Sequence, residues 1–272
     1  MRVIRRSLSA MTGLIIVALL LAAAAFAPVL APYDVRTQNL AARLAPPSLE
    51  HPFGTDRVGR DIFSRVRYGA RLSLLVAVGA VALGSLLGVT FGMIAGYSGR
   101  WVDGLMMRAV DIMLAFPLIL VALVISGVLG PSLGNLILAI AIASFPSFAR
   151  IARGETLSIA RREYIESAHA LGVRLPQMLF RHILPNIFGP ILVAASLAMG
   201  TAILVEASLS FLGLGLSPPA PAWGLMINDG LQVIRSAWWV SLFPGLAITI
   251  TVLGFSLLGD GLRDAFDPRL QQ

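Results

Sequence analysis

The sequence predicts an all-α membrane protein with six transmembrane helices and both termini in the cytoplasm, and three observations predict it. Apolar residues make up 57% of the 272 positions and charged residues only 13%, where a soluble domain carries about one quarter charged. Uncharged runs long enough to cross about 30 Å of hydrocarbon recur along the chain. Between those runs the arginines come in patches, and the basic excess of a membrane protein marks its cytoplasmic loops.

The same composition excludes several functions. All 21 basic residues are arginine, so the chain lacks the lysine that a phosphate-binding P-loop requires, and any ATP chemistry must belong to a partner. The net charge of +7 is that of cytoplasmic arginines beside a bilayer, not of a nucleic-acid-binding surface. With no cysteine there is no disulfide framework and no thiol site. His51, His169 and His182 fall on different segments, the first across the membrane from the other two, so neither a catalytic constellation nor a three-histidine metal site can be assembled.

Taken in order, Arg2, Arg5 and Arg6 precede an uncharged run from Ser7 to Tyr33, which predicts a first span with a cytoplasmic start. A signal peptide cut after Ala25-Phe26-Ala27 is the competing reading, but the run is longer than an h-region and Pro28 would follow the cut. Residues 33–71 are polar, with Pro32, Pro46, Pro47 and Pro52 marking an extended external segment before a helix-like stretch from Asp61 to Arg71. Seven arginines there oppose the positive-inside expectation; Asp34, Glu50, Asp56 and Asp61 would offset four of them, or the set would attract an acidic partner outside.

The second span, Leu72 to Gly99, carries Gly84, Gly88, Gly92 and Gly96 at every fourth position, a ridge over which another helix, of this chain or of a partner, can approach closely. Arg100, Asp103, Arg108 and Asp111 form a charged cytoplasmic loop. The uncharged stretch from there to Arg150 is too long for one helix and holds Gly130-Pro131-Ser132, so it divides into two spans, bent at Pro117 and Pro146. A fifth span from about Ile187 to Ser208 carries Glu206 near its far end, a functional candidate by position or a carboxylate that fixes the external turn. Pro218, Pro219 and Pro221 make the region Ala207 to Asn228 an external or re-entrant loop. Trp238 and Trp239 mark the membrane interface at the start of a last span running to Gly259, after which Asp260, Arg263, Asp264, Asp267 and Arg269 close the chain inside.

The longest charged passage between two apolar blocks is EYIESAHALGVRLPQMLFRHILP, Glu163 to Pro185. Tyr164, Ala168, Leu171 and Leu175 recur at helical spacing as one apolar face, with Glu163 and Glu166 elsewhere on the turn. Gly172 suits the left-handed residue that ends a helix, Pro176 the first turn of a second, and Pro185 its stop.

Glu166-Ser167-Ala168, Gly172 and Leu184-Pro185 at these spacings resemble the EAA loop of ABC-importer permeases, whose pattern is Glu-Ala-Ala, three residues, Gly, nine residues, Ile-x-Leu-Pro. Ser167 and His182 depart from it. HPFGTDRVGRDIFSRVRYGARLSL from His51, ILVEASLSFLGLGL from Ile203 and the GDGLRDAFDPR ending are similar to permeases of the dipeptide, oligopeptide and nickel type, so the resemblance covers nearly the whole chain. It implies the type I ABC-importer permease fold in a bacterial inner membrane. It divides the chain into a span and external segment over 1–71 and a permease core over 72–272, with the coupling loop at about 150–186. It implies a second homologous permease, two cytoplasmic ATPases carrying ATP and Mg, and an external solute-binding protein as partners, with no cofactor and no catalysis in this chain. The coupling residues would be Glu163, Tyr164, Glu166, Ala168, Gly172, Leu184 and Pro185, and the cargo a peptide before nickel. An ion-gradient transporter with Glu206 as the titrating group is the alternative outside the family, and it lacks the inverted repeats that class favours.

Overall fold

The computed structural model describes residues 8–266, so Arg2, Arg5, Arg6, Asp267 and Arg269 lie outside the described residues. Among those described, the regular structure is helical, joined by a long irregular segment over 31–61, with one isolated bridge between Thr55 and Asp61 in place of any sheet. The helices are α1 (Leu8–Ala25), α2 (Ala27–Leu30), α3 (Ile62–Tyr97), α4 (Arg100–Leu114), α5 (Leu118–Leu129), α6 (Leu133–Ala160), α7 (Glu163–Ala170), α8 (Leu175–Gln177), α9 (Leu184–Phe211), α10 (Trp223–Leu231) and α11 (Trp239–Phe266). A 3-10 turn, Leu40–Ala42, and a π-helical stretch, Met178–Ile183, complete them.

Four rods are long and apolar enough to cross a membrane: Ile62–Tyr97, Leu133–Ala160, Leu175–Phe211 and Trp239–Phe266. A fifth crossing needs α4 and α5 together, and they are bent by 85°. α1 is apolar but shorter. The expected third span is therefore no straight rod. At its break Pro117 sits in extended backbone, because a proline ring restricts the residue before it and lacks the donor that would carry the α4 ladder onward.

The expected charged loop 100–111 is instead the helix α4. Its charges are compatible with a helix because both carboxylates find partners on α6: Asp103 accepts two bonds from Arg153, each 2.5 Å, and Asp111 one from Arg150 at 2.5 Å. The proline-rich region also gives up part of its loop, since α10 starts directly after Pro221 and buries Trp223, Gly224, Met226 and Gly230. The three prolines precede that helix and leave its hydrogen-bond ladder intact.

α3 starts where expected. Asp61 caps it by accepting from the Ser64 amide at 2.8 Å, which contributes about 1 kcal/mol. Its glycine ridge lies along α6. A Cβ at Gly84 would stand 2.5 Å from Ser144 Oγ, one at Gly88 2.6 Å from the Phe145 carbonyl, and one at Gly96 2.9 Å from Thr156 Cβ. In lipid, where burial of apolar surface gives helices no net drive to associate, such backbone approach is what holds them. The central core, with Ile62, Phe148, Ile203, Leu209 and Trp223, lies among α3, α6, α9 and α10.

Candidate functional site

α7 follows α6 after two residues, and its end is set by local hydrogen bonding. The Val173 amide donates to the Ala168 carbonyl at 3.2 Å and the Gly172 amide to the His169 carbonyl at 3.0 Å, the paired bonds of a glycine-terminated helix. That closure needs a left-handed residue, and Gly172 supplies it with φ of +75°. Pro176 lies in the first turn of α8 as its fixed φ favours.

From there the structure departs from the sequence expectation. Pro185 does not stop the second helix. α8, the π-helical stretch and α9 form one rod, Leu175–Phe211, with Pro185 in the opening turn of α9. The wide π turn just before it relaxes the hydrogen-bond spacing that a mid-helix proline would break, and the Asn186 side chain donates to the His182 carbonyl at 2.6 Å.

The buried face of α7 is also different. Ile165 and Ala168 enter a cluster with Val89, Met93, Ala152, Ile159, Met178, Leu179, Ile183 and Ile187, against which Leu184 packs half-buried. Of the four residues expected to share one apolar face, only Ala168 is inside. Tyr164 and Leu175 are 42% exposed, Leu171 85%, and nearby Phe180 52%. Glu163, Glu166 and Pro185 are exposed as well. Ile165 was legible as a partner of Ala168 at helical i,i+3 spacing. His169 touches the Tyr97 hydroxyl at 3.1 Å, which ties α7 to the end of α3.

Glu206 is 1% exposed inside α9. Ser73 of α3 and Ser210 of α9 each donate a hydroxyl to it at 2.8 Å. It joins two helices, and it does not bond the loop backbone as expected. Both of its oxygens are engaged, which offsets part of the cost of burying an acidic side chain.

The arginine-rich segment 33–71 closes on its own protein, and of the four carboxylates expected to offset its arginines Asp56 does so, whereas Asp34 and Asp61 take other partners. Asp56 accepts from Arg60 at 2.6 Å and lies 3.8 Å from Arg65, while Arg65 donates to the Val35 carbonyl at 3.0 Å. Asp61 takes His51 at 2.9 Å, and Asp34 accepts from the Arg36 backbone amide. Arg57 meets Gln232, and the Arg67 guanidinium lies 3.9 Å from the centre of the Phe63 ring. Trp239, expected at the lipid interface, is 7% exposed and donates to the Thr55 carbonyl at 3.3 Å. Only Trp238 stays outside. Among the described residues, no three His, Asp or Glu side chains are grouped so as to hold a metal ion.

Comparison with known proteins decides what this arrangement belongs to. The family of binding-protein-dependent transport system inner membrane components matches residues 88–272. The chain is a member of that permease family. The N-terminal transmembrane domain of oligopeptide transport permease C matches residues 1–47 of the permease. A dipeptide transport system permease protein, DppC, of Alkalihalophilus pseudofirmus is 50% identical to it over 98% of this chain and 88% of the relative. A glutathione transport system permease protein, GsiD, of Pectobacterium atrosepticum is 45% identical over 99% and 90%. The oligopeptide transport system permease protein OppC of Bacillus subtilis is 44% identical over 97% and 86%. A crystal structure of an amino acid ABC transporter with histidines aligns with a TM-score of 0.54 and 18% identity, over 73% of this chain and 92% of that one, a likeness of fold. The permease is thus an inner-membrane, multi-pass component of an ABC importer.

Proposed function

We propose that this permease passes peptides across the membrane, driven by ATPases that seat on the 163–183 knuckle. In this reading it has six spans, α1, α3, the bent α4–α5 pair, α6, Leu175–Phe211 and α11, with both termini in the cytoplasm. Residues 1–71 form the first span and external segment, and 72–272 the core. A second homologous permease completes the pathway, an external binding protein delivers cargo, and ATP with Mg stays on the ATPase chains. The names of the matched dipeptide, oligopeptide and glutathione permeases favour a peptide cargo over nickel, and family membership displaces the ion-gradient alternative.

The observation that carries the coupling role is the split character of the knuckle. Ile165 and Ala168 root it in the bundle while Tyr164, Leu171, Leu175 and Phe180 remain exposed, large apolar side chains available to a protein contact. Glu163 and Glu166 supply charge at its rim, and Gly172 sets the angle at which Leu171 is offered. Its other end runs without a break into α9, so motion of a seated partner reaches the span directly.

The test is reconstitution of the permease pair with its ATPases and binding protein in proteoliposomes. A Gly172→Arg variant should insert normally and keep basal ATP hydrolysis, yet lose uptake of a labelled dipeptide by at least about tenfold, since a side chain at φ of +75° forces the turn open. Uptake at the level of the unsubstituted protein would refute the coupling role.

A further inference from the structure

We propose that the outward face of α4 is a binding site for anionic phospholipid headgroups. The helix has two distinct sides. Met107 and Val110 are buried, and together with Met106 and Leu114 they pack against Ala95 of α3 and Ala149 of α6. Both of its carboxylates are engaged by α6, Asp103 by Arg153 and Asp111 by Arg150. The other side presents Arg100, Trp101, Leu105 and Arg108, all exposed, Trp101 by 92%. With Gly104 they line an open groove of about 680 Å³.

Arg100, Gly104 and Arg108 lie at i, i+4 and i+8, so the two arginine stems leave one stripe of the helix about 12 Å apart. Asp103 is bonded to Arg153, and Asp111, exposed three residues beyond Arg108, already shares its charge with Arg150, so the two arginines outnumber the carboxylate near them. Two like charges beside one groove favour an anion, and the charges here are of the guanidinium type that pairs with phosphate oxygens. The first turn of α4 adds to this. Its cap is Gly99, which supplies no side-chain acceptor, so the leading amides are open toward an anion.

Position selects the source of the phosphate. On the proposed topology, α4 starts just after the cytoplasmic end of α3, a helix of 36 residues apolar enough to cross the membrane, and a nearly bare tryptophan between arginines is the side-chain pattern of the membrane–water boundary. Basic pockets at the cytoplasmic ends of membrane helices take anionic headgroups, including those with two phosphates. A protein subunit on the same face would have to bury both guanidinium groups and bring carboxylates for them.

Delipidation of the purified full complex, followed by native mass spectrometry, tests this. Complexes are first equilibrated with vesicles of phosphatidylcholine alone or doped with phosphatidylglycerol or cardiolipin. The unsubstituted complex should retain the anionic lipid. An Arg100→Gln, Arg108→Gln double variant, unchanged in thermal unfolding because both side chains are exposed, should bind it roughly 30-fold more weakly, as expected for two basic residues at an anionic surface. Equal retention by the two proteins overturns the proposal. Gly104, where a side chain meets open space, gives a second readout in a chain without cysteine. Gly104→Cys should be labelled in the complete complex by a maleimide dissolved in the lipid phase. Labelling of the isolated permease but not of the complex would assign the face to a partner subunit and overturn it equally.

Discussion

Segment 33–61 and the 163–183 knuckle are both charged connections between apolar helices, and they end in opposite states. In the first, the chain closes on itself: Asp61 caps α3 and holds His51, Asp56 holds Arg60, and the Thr55 carbonyl takes the Trp239 indole. In the second, the backbone is equally well closed around Gly172, but Tyr164, Leu171, Leu175 and Phe180 all stand outside, where the first leaves Leu40 and Leu49 exposed beside its bonded charges. A connection that satisfies its own groups is a structural clamp. On the proposed reading, one that roots Ile165 and leaves Leu171 bare is finished by the ATPase that docks on it.

Three tests sharpen that contrast, read by thermal unfolding and by capture of the ATPase chains. The largest effect belongs to Gly59→Ala in the clamp. Gly59 has φ of +76° and lies against the Asn39 carbonyl, so an alanine meets both backbone strain and a clash, and we expect a loss of about 4 kcal/mol or more, seen as failure to purify or a large drop in melting temperature. Next is Asp61→Ala, which removes the α3 cap and leaves buried His51 unpaired, at a combined cost of about 3 kcal/mol. Asp61→Asn, which keeps a capping oxygen, should recover much of it. The smallest stability effect is Tyr164→Ser with Leu171→Ser, within about 0.5 kcal/mol because both side chains are exposed. That pair should nonetheless abolish co-purification of the ATPases. Retained capture, or a melting loss as large as that of Asp61→Ala, would erase the distinction between clamp and docking surface.

Much of this was legible because it is governed locally. The glycine stop at 172, the proline start at 176, the helical stretch from Asp61 and the long apolar runs all follow from backbone restrictions and hydrophobicity that neighbouring residues declare. What the sequence hid depends on partners far along the chain. The charges of α4 read as a loop because Asp103 and Asp111 meet arginines some forty to fifty positions later. Trp239 read as an interface marker because nothing nearby reveals that Thr55 waits for its N–H. Glu206 reads as a functional candidate or as a carboxylate fixing the external turn, because nothing nearby reveals that Ser73, more than a hundred residues earlier, reaches it. Pro185 failed as a stop through a subtler cause: a π turn ahead of it changes the spacing that makes proline a breaker.

The unbroken run from Leu175 to Phe211 counts 37 residues, about 55 Å at helical rise. A bar of that length has no slack. Tilting its foot by a few degrees sweeps its head sideways by several ångströms, and the hydroxyl clasp of Glu206 with Ser73 would drag α3 along the same arc. On the proposed topology, the proline-led tip thereby steers side chains on the opposite shore of the bilayer.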